Sequence, residues 1–430
     1  MGAERRGQQH ELTTLDSGVR VVTEAMPSVR SAALGLWIGT GSSAESHDEA
    51  GLSHLIEHML FRGTDRYESL EIDQLFDGWG AELNAGTGKE TTSVHARVLD
   101  RHVAEAFDVM ADMVFHPRLA AEDLEAEREI VLEEIAMYDD DPQDKVFDVL
   151  GEAVFGDHPL GRAIIGRAEV VAGTPASGLA AFHAGRYVPG NVVVAAAGSV
   201  DHETIVALTR DAEAKATRTS AAVPAVDTAV GAQERRVRFV TKETEQYHVA
   251  LGGPGIVRDD PRRFALRVLD NILGGTSSSR LFQEVREKRG LAYSVFSFTS
   301  TYAHSGQVGL YVGTRPDNVS KAMGVVGEEL ERFRQSGASA EELDRSRENV
   351  KGRILLGLES TTARMNRLGS SVLAEMPLLS IDELEERIDA VTLDDVEALA
   401  RELYAPERLS AAGVGADEAA FRAALEAVAA

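Results

Sequence analysis

The chain contains no cysteine. Disulfides, thiolate metal sites and cysteine nucleophiles are therefore excluded. No apolar run approaches the ~18 residues that a membrane-spanning helix needs, and the run at 192–197 is only strand-sized. The opening segment, MGAERRGQQHELTTLDSGVRVV, lacks the apolar core of a secretory signal and the amphipathic Arg/Ser pattern of a transit peptide. A cytoplasmic location without membrane association is the expectation. Basic residues are few beside acidic ones: 44 Lys and Arg against 70 Asp and Glu, a formal net charge of −26. Nucleic acids, which are met by basic surfaces, are disfavoured as partners. The balance suits cationic substrates and a soluble acidic surface. The loop 274–279 (GGTSSS) lacks the Gly-x-x-x-x-Gly-Lys-Ser/Thr phosphate cradle, so a nucleotide site is rejected there.

What the chain does have is His-Leu-Ile-Glu-His at 54–58, the inverted order H-x-x-E-H. On a helix, His54 and His58 lie one turn apart on the same face. Two imidazoles so placed can hold one zinc ion at about 2.0–2.1 Å. Glu57, on the same flank, is placed to take a proton from a water activated by that metal. Leu52, Leu55, Ile56 and Met59 form an apolar stripe, while His54, Glu57, His58 and Phe61 form a second one. A helix with two ordinary histidines has the same pattern, so a third ligand must be found. The segment 120–138 aligns Leu124, Glu127, Val131, Glu134 and Tyr138 at helical spacing. Glu127 and Glu134, nearly two turns apart, point the same way. Burying isolated carboxylates is costly unless they are paired or bound to metal. The segment also carries Glu122, Glu125, Glu129 and Glu133, as a solvated acidic face would. Periodicity leaves Glu127, Glu133 and Glu134 open.

The 430 residues suffice for more than one domain. Segment 211–236, rich in Ala, Thr and small polar residues, reads as a linker. It separates an N-terminal zinc-binding domain at 1–210 from a C-terminal domain at 237–430. YVPGNVVVAAAGSV at 187–200 recurs weakly as YAPERLSAAGVGAD at 404–417, and the segment around the motif corresponds loosely to ALRVLDNILGGT at 265–276. There Arg267 stands for His54 and Asn271 for His58. An internal duplication with one copy stripped of its ligands is the simplest account. Strands are expected at 19–23, 32–38, 91–98, 191–198, 239–240 and 248–252, and helices at 49–60, 70–76, 101–113, 120–138 and 143–154. The fold class is α+β, with each half a mixed sheet packed with helices.

HLIEH followed by MLFRGT, the run EREIVLEEI and the stretch PLGRAIIG at 159–166 resemble the pitrilysin/insulinase family of zinc peptidases. The similarity is to its processing-peptidase β-subunit branch and bacterial relatives. The resemblance implies a clamshell of two halves and one zinc ion per chain. In that family the third ligand follows the second His by about 76 residues; here 134 − 58 = 76, which selects Glu134. An essential acidic residue seven positions earlier matches Glu127, whose role would be to orient a ligand or the water. Asn84 and Ala85 match an edge strand that pairs with substrate backbone, although Gly86 stands where an aromatic is often found. Arg286 and Tyr293 match a pair that reaches the substrate, Arg286 holding a carbonyl and Tyr293 stabilising the oxyanion. Asp144 and Asp148, four apart on an expected helix, match an acidic pair that binds a basic residue near the cleavage point. The implied activity is a zinc-dependent endopeptidase acting on peptides or unfolded segments, as a homodimer or a heterodimer with a paralogue. The competing class is a non-catalytic or partner-dependent scaffold subunit. A purely structural zinc site is disfavoured, since such sites are usually closed by four Cys-rich ligands.

Overall fold

A computed structural model describes residues 10–215, 230 and 234–429. In chain order the first half carries β1 (His10–Thr14), β2 (Arg20–Ala25), β3 (Ser31–Ile38), α1 (Leu52–Met59), α2 (Ser69–Trp79), β4 (Glu82–Thr87), β5 (Thr92–Leu99), α3 (Val103–Phe115), α4 (Ala121–Asp140), α5 (Pro142–Phe155), α6 (Ala168–Gly173), α7 (Ala176–Arg186), β6 (Val192–Gly198) and α8 (His202–Lys215). The second carries β7 (Val237–Thr241), β8 (Tyr247–Pro254), α9 (Arg263–Leu273), a π-helical segment at Phe282–Glu287, β9 (Ser294–Thr301), β10 (Gly306–Thr314), α10 (Val319–Ser336), α11 (Ala340–Gly357), α12 (Thr361–Leu373), α13 (Ile381–Asp389), α14 (Leu393–Leu403), β11 (Ser410–Gly415) and α15 (Glu418–Ala429).

Two mixed sheets result, ordered β1-β2-β6-β3-β5-β4 and β7-β11-β8-β10-β9. Without β1 the orders correspond strand for strand. Each has one parallel pair, β2 with β6 and β7 with β11, and antiparallel neighbours elsewhere. The duplication legible in the sequence is thus present in the topology. The central strand β6, Val-Val-Val-Ala-Ala-Ala-Gly, is buried at every position, as a strand covered on both faces requires.

The chain forms two compact units. Among the described residues, unit 1 draws on those within 1–135, 163–227 and 355–381, and unit 2 on those within 136–162, 228–354 and 382–430. This division departs from the simple halves 1–210 and 237–430. The physical reason is that both faces of each sheet are apolar, so each sheet needs a second covering layer. In unit 2 that layer is α5 from the first half: Val146, Val149, Leu150 and Val154 pack with Ala250, Tyr311, Ala412 and Val414. In unit 1 it is α12 from the second half: Met365, Leu368 and Val372 pack with Val22, Ala33, Val193 and Ala195. The opposite face of the unit 1 sheet meets α1 and α3 through Leu34, Leu36, Leu55, Ile56, Phe107 and Met110. Of the expected linker, 211–215 form the last turn of α8, and 216–229 and 231–233 lie outside the described residues.

Candidate metal centre

The motif helix is shorter than expected and starts at Leu52. Gly51 before it has φ 106°, a left-handed conformation that glycine adopts without steric cost. A Cβ there would lie 2.9 Å from the carbonyl oxygen of Ile165, within the 159–166 stretch. The buried carboxylate of Glu45 accepts from the backbone N–H groups of Gly51 at 2.8 Å and Ser53 at 2.7 Å. It satisfies donors that a helix start leaves open and complements the helix dipole. Leu52, Leu55, Ile56 and Met59 are buried, so the opposite face presents His54, Glu57 and His58.

On α4, Leu124, Glu127 and Val131 are buried, Glu134 is half-buried, and Glu133 and Tyr138 are exposed. Of the three acids that periodicity left open, Glu133 therefore points away. His54 Nε2 lies 3.7 Å and His58 Nε2 3.5 Å from Glu134 Oε2. The two imidazole rings are 4.7 Å apart, edge to face. Two donors held about 2.1 Å from a tetrahedral ion are about 3.4 Å apart, so the observed spacing suits a single small divalent cation. His54, His58 and Glu134 each offer an atom within 4.8 Å of the others, the one such group among the described residues. Nitrogen and carboxylate donors of this kind and number fit zinc, whose catalytic sites take three protein ligands.

Glu127 does not point its oxygens at Glu134. Its Oε2 accepts from His58 Nδ1 at 2.8 Å, and Arg62 closes an ion pair on its Oε1. Since a carboxylate only accepts, Nδ1 carries a proton, so in the neutral ring the lone pair sits on Nε2, the atom that faces Glu134. Burial works against the Glu127 charge, but the bonds from His58 and Arg62 outweigh it and keep the carboxyl below its ordinary value. The bond to Glu127 correspondingly raises His58, against burial. Burial, and then the neighbouring His58, push His54 down to about 4, so its ring is neutral at physiological pH. His54 Nδ1 is buried and has no partner among the described residues, and Nε2 is the atom that faces Glu134. Burial lifts the Glu57 carboxyl above its ordinary value, opposed by a 2.6 Å bond from Thr87 Oγ1 to Oε2. A carboxylate so raised is a better base.

Arg62 and Thr87 had no signal in the sequence beyond position: Arg62 follows His58 by one turn, and Thr87 ends β4. β4 is the edge strand of its sheet, as the resemblance implied. Asn84 is exposed on it, its Oδ1 accepting from the N–H of Ala85. The remaining candidates fall in unit 2. Asp144 and Asp148 stand on α5, Asp144 exposed and Asp148 half-buried. Burial, with Asp141 nearby, holds the Asp144 carboxyl above its usual value. Arg286 and Tyr293 are brought together: the guanidinium donates to the Tyr293 carbonyl at 2.9 Å and stacks 4.6 Å from its ring, and Tyr293 is 76% exposed.

A duplicated α+β chain with His-x-x-Glu-His on one helix and a glutamate converging from another defines the class of inverted-motif metallopeptidases. Residues 20–168 match the family model described as insulinase (peptidase family M16), and 176–350 match the peptidase M16 inactive domain. The chain belongs to peptidase family M16. It is 44% identical to an uncharacterised zinc protease of Streptomyces coelicolor, over 91% of this chain and 86% of that protein. An uncharacterised zinc protease of Mycobacterium tuberculosis is 43% identical over 94% of this chain and 92% of its own length. One from Bacillus subtilis is 40% identical, over 91% and 95%. The fold is shared with a crystal structure of a protease from Helicobacter pylori, at a TM-score of 0.90 and 21% identity, covering 95% of this chain and 100% of that one. Among the described residues no helix is long and apolar enough to cross a membrane.

Proposed function

We propose that the chain is a zinc-dependent endopeptidase that hydrolyses peptide bonds in peptides or unfolded segments. The observation that carries this is the approach of His54 Nε2, His58 Nε2 and Glu134 Oε2 to one point, with Glu57 on the same helix face as the two rings. His54, His58 and Glu134 hold the ion. When bound, zinc supplies a Lewis acid that makes water nucleophilic near neutral pH and polarises the scissile carbonyl. Glu57 accepts the proton of the attacking water and passes it to the leaving amine. Thr87 keeps the Glu57 carboxylate in one orientation, and Glu127, braced by Arg62, fixes the tautomer of His58. We assign Arg286 to a substrate carbonyl and Tyr293 to the developing oxyanion, and the contact between them pre-orients both. Asn84 and Ala85 on the free edge of β4 offer backbone pairing to an extended peptide. Asp144 and Asp148, on a strongly acidic protein, favour a basic residue near the scissile bond.

Digestion of a peptide library by the pure chain tests this. Cleavage should appear, stop with a zinc chelator and return with zinc, with Arg or Lys enriched near the cut. Glu57→Gln should keep zinc and lose at least about a hundredfold in kcat. Near-normal turnover by that variant would remove Glu57 from the mechanism, and absence of enrichment would remove the basic preference.

A further inference from the structure

The second unit keeps the helix framework that carries the zinc motif in the first, but replaces the charged side chains on it. α9 and α11 correspond to α1 and α4. Along the first pair an offset of 213 brings Leu55, Ile56 and Met59 onto Val268, Leu269 and Ile272, all buried. Along the second an offset of 219 brings Leu124, Glu127 and Val131 onto Leu343, Ser346 and Val350, again all buried. The same offsets place Arg267 at the position of His54, Asp270 at Glu57, Asn271 at His58 and Arg353 at Glu134. The acid is held alike in both units. Glu57 accepts from Thr87 of edge strand β4, and Asp270 accepts from Ser297 Oγ of edge strand β9 at 2.6 Å.

These residues line one cavity of about 540 Å³, shared with Gly275, Phe298 and Val350. Arg267 and Arg353 are both solvent-accessible within it. Neither guanidinium makes a hydrogen bond or close ion pair among the described residues. Asn271 Nδ2 donates to Asn349 Oδ1 at 2.9 Å. Asp270 is the acid facing both arginines, and Ser297 and the two arginines oppose the effect of burial on it, which raises its carboxyl overall. Partial desolvation inside the cavity, and then the adjacent Arg353, pull Arg267 below its ordinary value although the side chain stays solvent-accessible, while Asp270 works the other way. Guanidinium stays protonated in proteins, so the cavity keeps an excess of one positive charge in a chain of net charge −26. No cation can settle between two guanidinium groups. What matches their planar, paired donors is an oxyanion.

We propose that this cavity is an oxyanion-binding site that takes a carboxylate of a bound peptide, at its C-terminus or on an acidic side chain. Only the carrier of the carboxylate rests on the peptidase reading.

The test measures binding rather than turnover. Fluorescence anisotropy of three labelled peptides of one neutral sequence is followed on the full chain, with 1,10-phenanthroline present to prevent cleavage. One peptide ends in a free acid, one in an amide, and one in an amide with a single internal Glu. The expected result is that the free acid, the Glu peptide or both bind at least about tenfold tighter than the neutral amide. That gain should vanish in Arg267→Gln/Arg353→Gln, and inorganic phosphate should compete with it. A gain confined to the free acid assigns the site to a chain terminus, and one shared with the Glu peptide assigns it to acidic side chains. No gain in the parent chain, or a gain unchanged in the double variant, overturns the proposal, as does phosphate binding without any peptide preference. Should the double variant not fold by circular dichroism, Arg353→Gln alone carries the test with an expected loss of at least about threefold. Separately assayed cleavage keeps the two readings apart. A chain that prefers acidic peptides but cuts none sinks the peptidase reading alone, and one that cuts without the preference sinks this proposal alone.

Discussion

At the scale of single residues, the site is a set of partners that settle one another. Glu127 meets the three converging side chains through His58, whose Nδ1 donates to it. Glu127→Ala should leave the fold intact and weaken zinc binding about 10–100-fold, as read by competition with a chromogenic chelator; unchanged affinity would reduce Glu127 to a partner of Arg62. Gly51→Ala forces a side chain into a left-handed position against the Ile165 carbonyl. A loss of roughly 1–3 kcal/mol in denaturant unfolding is expected. Away from the site, Arg280 and the Ser339 N–H hold the Glu342 carboxyl at about 2 although burial opposes them. A carboxyl lowered on folding contributes stability that is complete above its unfolded value near 4.5 and fades as pH falls toward 2. Its contribution is on the order of 2 kcal/mol after screening. Unfolding followed from about pH 5 down to about pH 3 should therefore show a shallower acid loss in Glu342→Gln than in the parent chain.

At the scale of elements, what was legible followed from local periodicity. α1 could be read because its buried stripe and its histidine face recur at helical spacing within eight residues. α4 could be read as a helix, but spacing alone left Glu127, Glu133 and Glu134 equal. Burial separates them, and burial depends on packing that a single chain of letters does not display. Arg62 and Thr87 escaped for the same reason, since each acts through a side-chain contact made by a loop or strand end. The roles of α5 and α12 were likewise hidden. Each has an ordinary apolar face, and nothing local says that the sheet it covers lies in the other half of the chain. Met365, fully buried against Val22, Ala33 and Val193, makes that layer measurable. Met365→Ala should cost about 2–4 kcal/mol; a negligible loss would mean that α12 is not a stabilising layer of unit 1.

At the scale of the whole molecule, duplication has produced two sheets of one topology and two side-chain clusters of opposite sign. One gathers two imidazoles and a carboxylate, and its counterpart gathers two guanidiniums around an aspartate. Exchange of α5 and α12 means that neither half of the sequence carries all of its own core. A fragment limited to 1–210 leaves the α12 face of its sheet uncovered. It should bind apolar dyes and aggregate instead of unfolding cooperatively. A monomeric, cooperatively folding fragment would show that the second layer is dispensable. The central claim is that His54, His58 and Glu134 jointly grip one ion. Anomalous diffraction at the zinc absorption edge tests it most directly, on crystals of the full chain grown with zinc. One strong peak is expected about 2.0–2.2 Å from His54 Nε2, His58 Nε2 and a Glu134 oxygen. A peak that leaves Glu134 outside bonding distance, or no peak between the two rings, would contradict it.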